Sequence, residues 1–247
     1  QREPKKGAEE DDDQVIELPD PDDDEGWQRW IDEGIKRIER SGKRKARELL
    51  SFIVKAYDYE AKLQQHQATY QVKMRSLAQQ LREGTISLDA WQYKSQIEIA
   101  RYTSDGYLLG KAQALGIRPS KLTGKKITPS DRQAIAGAVK EQYDYFSEFS
   151  QQVKAQVSEG KELTTAIDAR AGLYQGSVRS ASSQAQLNEE GEKMLTWERF
   201  AGDSCETCIK YGGETKTATK WRELDVWPAH NVKCAGNCRC GWSVAKE

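Results

Sequence analysis

All five cysteines of this 247-residue chain lie between positions 205 and 240. Cys205 and Cys208 form C-x2-C, and Cys234, Cys238 and Cys240 form C-x3-C-x-C. One of only two histidines, His230, sits four residues before Cys234. This grouping constrains the C-terminal segment more than any other feature. A C-x2-C turn aims two sulfurs at one centre, and a second cluster in a neighbouring turn can complete the four soft donors that Zn(II) takes in a tetrahedron. The segment 192–247 reads as too small and polar to bury much of a core. A metal crosslink is therefore expected to stand in for one, contributing roughly 10 kcal/mol or more to folding. Glycines at 202, 212, 213 and 236 permit the tight turns such a site needs.

Three other readings compete with zinc. A disulfide framework sits poorly with an odd cysteine count and a chain without secreted character. A redox-active C-x2-C lacks its βαβ context. Thiols with packing roles are the third. For a zinc site, Cys205 and Cys208 are the expected first pair and Cys234 the third ligand. The fourth is Cys238 or Cys240, on the reading that the two face opposite ways if both lie in one strand, so that only one reaches the metal. His230 is held in reserve as a ligand, its alternative being a solvent-facing turn residue after Pro228. His66 reads as inert on a polar helix face. With so many cysteines the site looks closed, and there is no HExxH, no Gly-rich phosphate loop and no paired histidine. Glu206 and Glu214 could act as bases, but acids beside such turns are common. The expectation is a structural metal and no enzyme.

The rest of the chain reads as mainly α. Charged residues make up 31% against 37% apolar, a thin core that suits long, partly exposed helices in an elongated body better than a sandwich or an α/β sheet. No apolar run approaches the roughly 18 residues that would cross a bilayer, and no signal peptide is recognisable. The chain starts at Gln1 rather than Met, as a fragment or processed product would. Residues 1–25 carry twelve acids and three bases, leaving +8 for the remainder of a chain whose net charge is −1. They read as an acidic disordered or extended arm. Residues 26–190 form the helical body and 191–247 the β-rich zinc module.

Within the body, Trp27, Trp30, Ile31, Ile35 and Ile38 keep helical spacing, and a long helix is expected from Lys43 to Glu83, closed by Gly84. Ser87 should cap a second helix, with Asp89 in its first turn, running to Leu115 and closed by Gly116. Gly106 and Gly110, four apart inside it, read as a close helix–helix contact or a local bend. Ser130-Asp131-Arg132-Gln133 reads as a capping box. It opens a helix whose stripe Ile135, Val139, Tyr143, Phe146, Phe149, Val153 and Val157 marks a core or partner face, ended by Gly160. A less apolar helical segment runs from Leu163 to Asn188, weakened by Gly172 and Gly176. Leu195–Phe200 reads as a strand, followed by short strands and turns between cysteines.

Several of these residues carry a resemblance. Trp197, Cys205, Cys208, Gly212, Gly213, Pro228, Asn237, Cys238, Arg239, Cys240 and Trp242 spell W-x7-C-x2-C, Gly-Gly, a Trp/Pro turn and N-C-R-C-x-W. Upstream stand Gly84-Thr85-Ile86-Ser87, Trp91, Tyr107 and Gly110. Over about residues 80–245 the chain resembles the phage Mu F-type head morphogenesis proteins, minor capsid proteins of tailed phages. That family commonly ends in H-P-N-C-R-C, whereas here Cys234 stands near the histidine's place with one extra residue, which favours an all-Cys site. The family's Arg-Thr-Glu stretch has only Arg179-Ser180-Ala181 as its nearest counterpart, and no role is carried onto it. The resemblance implies a virion protein made in the host cytoplasm and present in several copies per particle. Its implied partners are the portal or major capsid protein, with packaged DNA in reach and no membrane. The acidic arm would then be a linker from a preceding domain. The alternative is a nucleic-acid-binding zinc protein of genome packaging or ejection, for which Lys210, Lys216, Lys220, Arg222 and Lys233 supply positive charge near the module.

Overall fold

The computed structural model describes residues 59–122, 124, 126–199, 205–233 and 238–245. These belong to one compact unit, Asp58–Glu247. The expected arm, the helical spacing of 27–38, the first part of the 43–83 helix, and Phe200, Gly202, Cys234, Gly236 and Asn237 lie outside the described residues.

The unit is mainly helical with a small C-terminal sheet. Helix α1 spans Tyr59–Arg82 and α2 spans Leu88–Ala114. The Ser87 hydroxyl accepts the Ala90 N–H at 3.2 Å, so the expected N-cap forms. Gly84, Gly116 and Gly160 each follow a helix in the left-handed conformation, as their positions predict. The third helix, α3, spans Pro129–Ser158. Its cap differs from the expected Ser130–Gln133 box. Thr128 is the N-cap, with the Asp131 N–H donating to its hydroxyl (3.2 Å) and its own N–H donating to Asp131 Oδ2 (2.6 Å). The reason is Pro129, whose fixed φ and missing N–H suit the first helical position, so the box begins one residue before the proline.

Helix α4 (Ala166–Gly172) passes through a single 3-10 turn, Leu173–Gln175, into α5 (Gly176–Glu190). The two glycines expected to weaken this segment mark the changes of helix type. What patterning did not anticipate is that α5 is the most deeply enclosed helix of the unit. Ser177, Val178, Ala181, Ser182, Ser183, Ala185 and Leu187 are all buried, and its packing with α2 is the most extensive among the described elements. Small residues allow this. A Cβ on Gly106 or Gly110 of α2 would collide with the backbone of Val178 or Ser182, so the two helices touch main chain to main chain. Thr103 and Ser177 share a buried hydroxyl hydrogen bond at 3.0 Å across the same seam.

The aromatic stripe of α3 is only half used. Phe146, Phe149 and Val153 are buried, with Trp91 5.1 and 5.6 Å from the two phenyl rings, but Val157 is 45% exposed. A buried polar cluster pins the start of α3 to α2 and α5. Lys111 Nζ lies 2.9 Å from Asp131 Oδ2 and also pairs with Glu189. The Tyr107 hydroxyl donates to Asp131 Oδ1 at 3.0 Å, and the Asn188 amide donates to that hydroxyl at 3.2 Å. Among the described residues, no helix is long and apolar enough to cross a membrane.

After Gly191 the chain enters β1 (Met194–Glu198), the central strand of an antiparallel sheet ordered β2-β1-β3, with β2 at Thr215–Thr217 and β3 at Gly241–Val244. The segments between are not only strands and turns as expected. They include two short helices, α6 (Glu206–Tyr211) and α7 (Ala218–Glu223).

Candidate metal centre

The sheet places Trp197 directly opposite Trp242, on the same face as Leu195. Trp221 of α7 joins them, its ring 5.7 Å from Trp197 and 5.2 Å from Trp242, and Tyr211 closes the group at 5.6 Å from both Trp197 and Trp221. The Trp221 indole donates to the Leu195 carbonyl at 3.0 Å. This aromatic box corrects the expectation of a module without a core. Leu187, Leu195, Trp197, Ala218, Trp221, Val226, Trp227, Val232 and Trp242 bury one another together with Cys208, Cys238 and Cys240. Three tryptophans carry several hundred Å² of apolar surface between them, so a metal here would reinforce a core rather than replace one.

The core is shared with the helical body. Leu187 of α5 belongs to it, and the Trp227 and Trp242 indoles donate to the Ser180 hydroxyl (3.2 Å) and the Ser183 carbonyl (3.3 Å). Arg222 donates to the Leu187 carbonyl at 2.7 Å. The change in secondary structure at Gly191 is thus not a break in packing.

Cys208, Cys238 and Cys240 are buried, and their sulfurs all lie within 4.8 Å of one another. Cys208 sits in the first turn of α6. Cys238 and Cys240 lead into β3, with exposed Arg239 between them. Both reach the centre, contrary to the expectation that only one would. In extended backbone, residues two apart share a face and the residue between them points away. Cys205 is half-buried at the N-cap of α6 and packs on the edge of the same core, but it is not one of the three converging sulfurs. Gly212 and Gly213 end α6. A Cβ on Gly212 would crowd the Cys208 carbonyl at 2.8 Å, and Gly213 has φ +82.

These residues fit a metal on three grounds. Sulfurs bound at about 2.3 Å to a tetrahedral zinc stand roughly 3.8 Å apart, within small side-chain adjustments of the separations here. Hydrogen bonds from Cys238 and Cys240, with burial, push the Cys208 thiol far up. The Cys240 thiol is drawn down by its hydrogen bond with Cys208, but Cys238 and burial outweigh this and leave it at about 11. A bound cation would favour the thiolates that this crowding disfavours. Finally, the buried indole N–H of Trp197 has no acceptor in full hydrogen-bond geometry, yet it favours the Cys240 thiolate. A buried N–H donor beside the cluster suits an anionic metal thiolate.

His230 does not join the cluster. Its ring stacks on Trp227 at 3.7 Å, across a turn in which Ala229 takes φ +68, and its Nε2 is 3.3 Å from Asp225. It lines a separate cleft of about 410 Å³ with Glu141, Tyr145 and Tyr174. His66 packs edge-on to Tyr102 at 6.2 Å, and burial lowers its pKa. Glu206 and Glu214 pair with Lys233 and Lys216, and Lys220 pairs with Glu223. Arg222 is turned to the Leu187 carbonyl, and Lys210 lies over the Tyr211 ring at 4.9 Å.

Fold and site together define a helical protein that carries a tryptophan-lined Cys module. No protein-family model, curated protein or solved structure matches the chain.

Proposed function

We propose that this chain is a minor capsid or head morphogenesis protein of a tailed phage, acting near the portal or the inner head surface, and that its Cys cluster holds a structural zinc. The observation that carries the reading is convergence. Of the residues that bear the resemblance, Trp197, Cys208, Gly212, Gly213, Cys238, Cys240 and Trp242 all build or border one buried three-sulfur centre. The upstream ones also have structural work, with Trp91 and Tyr107 buried and Gly110 at the α2/α5 seam.

The zinc would be held by Cys208, Cys238 and Cys240. Cys205 is the fourth ligand, because N-cap and third-position side chains approach the same helix end, as in a capping box. Zinc supplies a crosslink between α6 and the approach to β3. Four sulfurs leave no open position, which suits a structural role. The helical body then serves protein–protein contacts with the portal or major capsid protein.

Two measurements test this. Native mass spectrometry of the purified chain should find one zinc, lost in Cys208→Ala. Peptide mass spectrometry of purified DNA-filled particles should find the chain in a few to a few dozen copies, counted against the portal protein. Absence from particles, with presence in infected cells, would refute the virion reading in favour of a DNA-handling role.

A further inference from the structure

We propose that Arg179 is the positioning residue of the metal centre, a role that rests on the Cys cluster being a metal site. Arg179 lies on α5 and is 1% exposed, one of the largest fully buried side chains in the unit. Its guanidinium forks. One terminal nitrogen donates to Glu60 Oε2 at 3.0 Å and to the Cys240 carbonyl at 3.1 Å, and the other pairs with Glu60 Oε1. Glu60 stands in the first turn of α1. One buried cation therefore fastens the backbone of a sulfur donor to two helices of the body.

Simple stability is a poor explanation for this arrangement. The Arg179 Nε–H is buried with no partner among the described residues, and a buried arginine with an unmet donor costs more than an apolar residue of the same size. Local rules broken in this way concentrate at functional sites. The geometry supplies the function. Cys238 and Cys240 sit in backbone that precedes the β3 ladder, which begins only at the Glu198↔Gly241 pair. Among the described residues the Cys240 carbonyl has no strand partner, and Arg179 donates to it. Fixing that carbonyl sets the rotation of the extended segment, hence the direction of both sulfurs toward Cys208. The carboxylate of Glu60 in turn sets the plane of the fork. Groups one bond removed from metal ligands tune affinity in this way, and their loss typically costs about 10- to 100-fold.

The test is zinc affinity by chelator competition, with the absorption bands of the Co(II)-loaded protein, on the full chain. Arg179→Met should weaken zinc by about tenfold or more and distort the tetrahedral Co(II) bands. Arg179→Lys, which keeps the charge but cannot bridge both partners, should fall between. Leu81→Ala is the control for lost stability, since it removes core from α1 about 30 Å along the helix from Glu60. It should leave affinity and bands unchanged. Should Arg179→Met not fold, Glu60→Ala frees the guanidinium without removing it and should weaken zinc more than the control does. Arg179→Met or, failing that, Glu60→Ala, binding zinc as tightly as Leu81→Ala would overturn the role of Arg179 while leaving the metal site intact. A wild-type chain that binds neither zinc nor Co(II) would remove the metal reading and this one with it.

Discussion

Replacing Gly110 by alanine tests the contact on which the body is built. The added Cβ would stand 2.6 Å from both the Cα and the carbonyl carbon of Ser182, and closer still to its oxygen. Ordinary carbon–carbon contact is about 3.5–4.0 Å, so α2 and α5 must part by about 1 Å. The obstructing atoms are helix backbone and cannot rotate aside. Parting the helices also stretches the 3.0 Å Thr103–Ser177 hydrogen bond on the same seam. Overpacking of this kind costs about 1–3 kcal/mol, against which alanine's helix propensity returns up to about 1. The expected net loss is about 1–2 kcal/mol, read as a urea midpoint by far-UV circular dichroism. For a unit of this size that corresponds to a Tm lower by roughly 2–8 °C. Gly137 is the internal comparison, because it lies on an exposed turn of α3 where a Cβ would meet nothing within 4 Å. Gly137→Ala should therefore stabilise by up to about 1 kcal/mol. Opposite signs for the same substitution are the signature. A neutral or stabilising Gly110→Ala would refute main-chain contact between α2 and α5.

Other expectations follow from the site and its supports. Chelation of zinc, or Cys208→Ala, should lower the melting temperature of the module and alter the near-UV tryptophan signal, while the far-UV helix signal of α1, α2 and α3 persists. Burial raises the Asp131 carboxyl, but the hydrogen bonds from Lys111, Thr128 and Tyr107 outweigh it and hold it below the usual carboxylate range. Its contribution to stability is thus present above the ordinary carboxylate range and lost as pH falls through the depressed value. Asp131→Asn should flatten that acid limb of urea midpoints measured from pH 3 to 6. Ala229 holds φ +68 at the third position of the Trp227–His230 turn, where glycine is favoured. Ala229→Gly should be neutral to stabilising by up to about 1 kcal/mol in the same denaturation assay, and a loss of more than that would show that the Ala229 methyl is needed by the core.

By itself the sequence determined the features set by a few neighbouring residues. Ser87 and Gly84, Gly116 and Gly160 bounded helices because caps and left-handed glycines act within one turn. The spacing of Gly106 and Gly110 narrowed their role to a close contact or a bend, and the contact is what forms. The clustered cysteines announced a shared centre. A cap was misplaced at Ser130 only because Pro129 and Thr128 offer a better one two residues earlier. The tertiary structure decided the rest. Helix α5 reads as part of a less apolar segment weakened by Gly172 and Gly176, yet its small side chains are what let α2 approach, so its burial is a property of the pair. The tryptophan box draws on positions 197, 221 and 242, which no local period connects. Which sulfurs meet was settled by where α6 and the approach to β3 come to rest. Arg179 gave no local signal, since its partners, Glu60 and the Cys240 carbonyl, lie 119 and 61 residues away along the chain. Short-range chemistry can be read from neighbours in sequence, whereas a buried contact exists only once distant segments have packed.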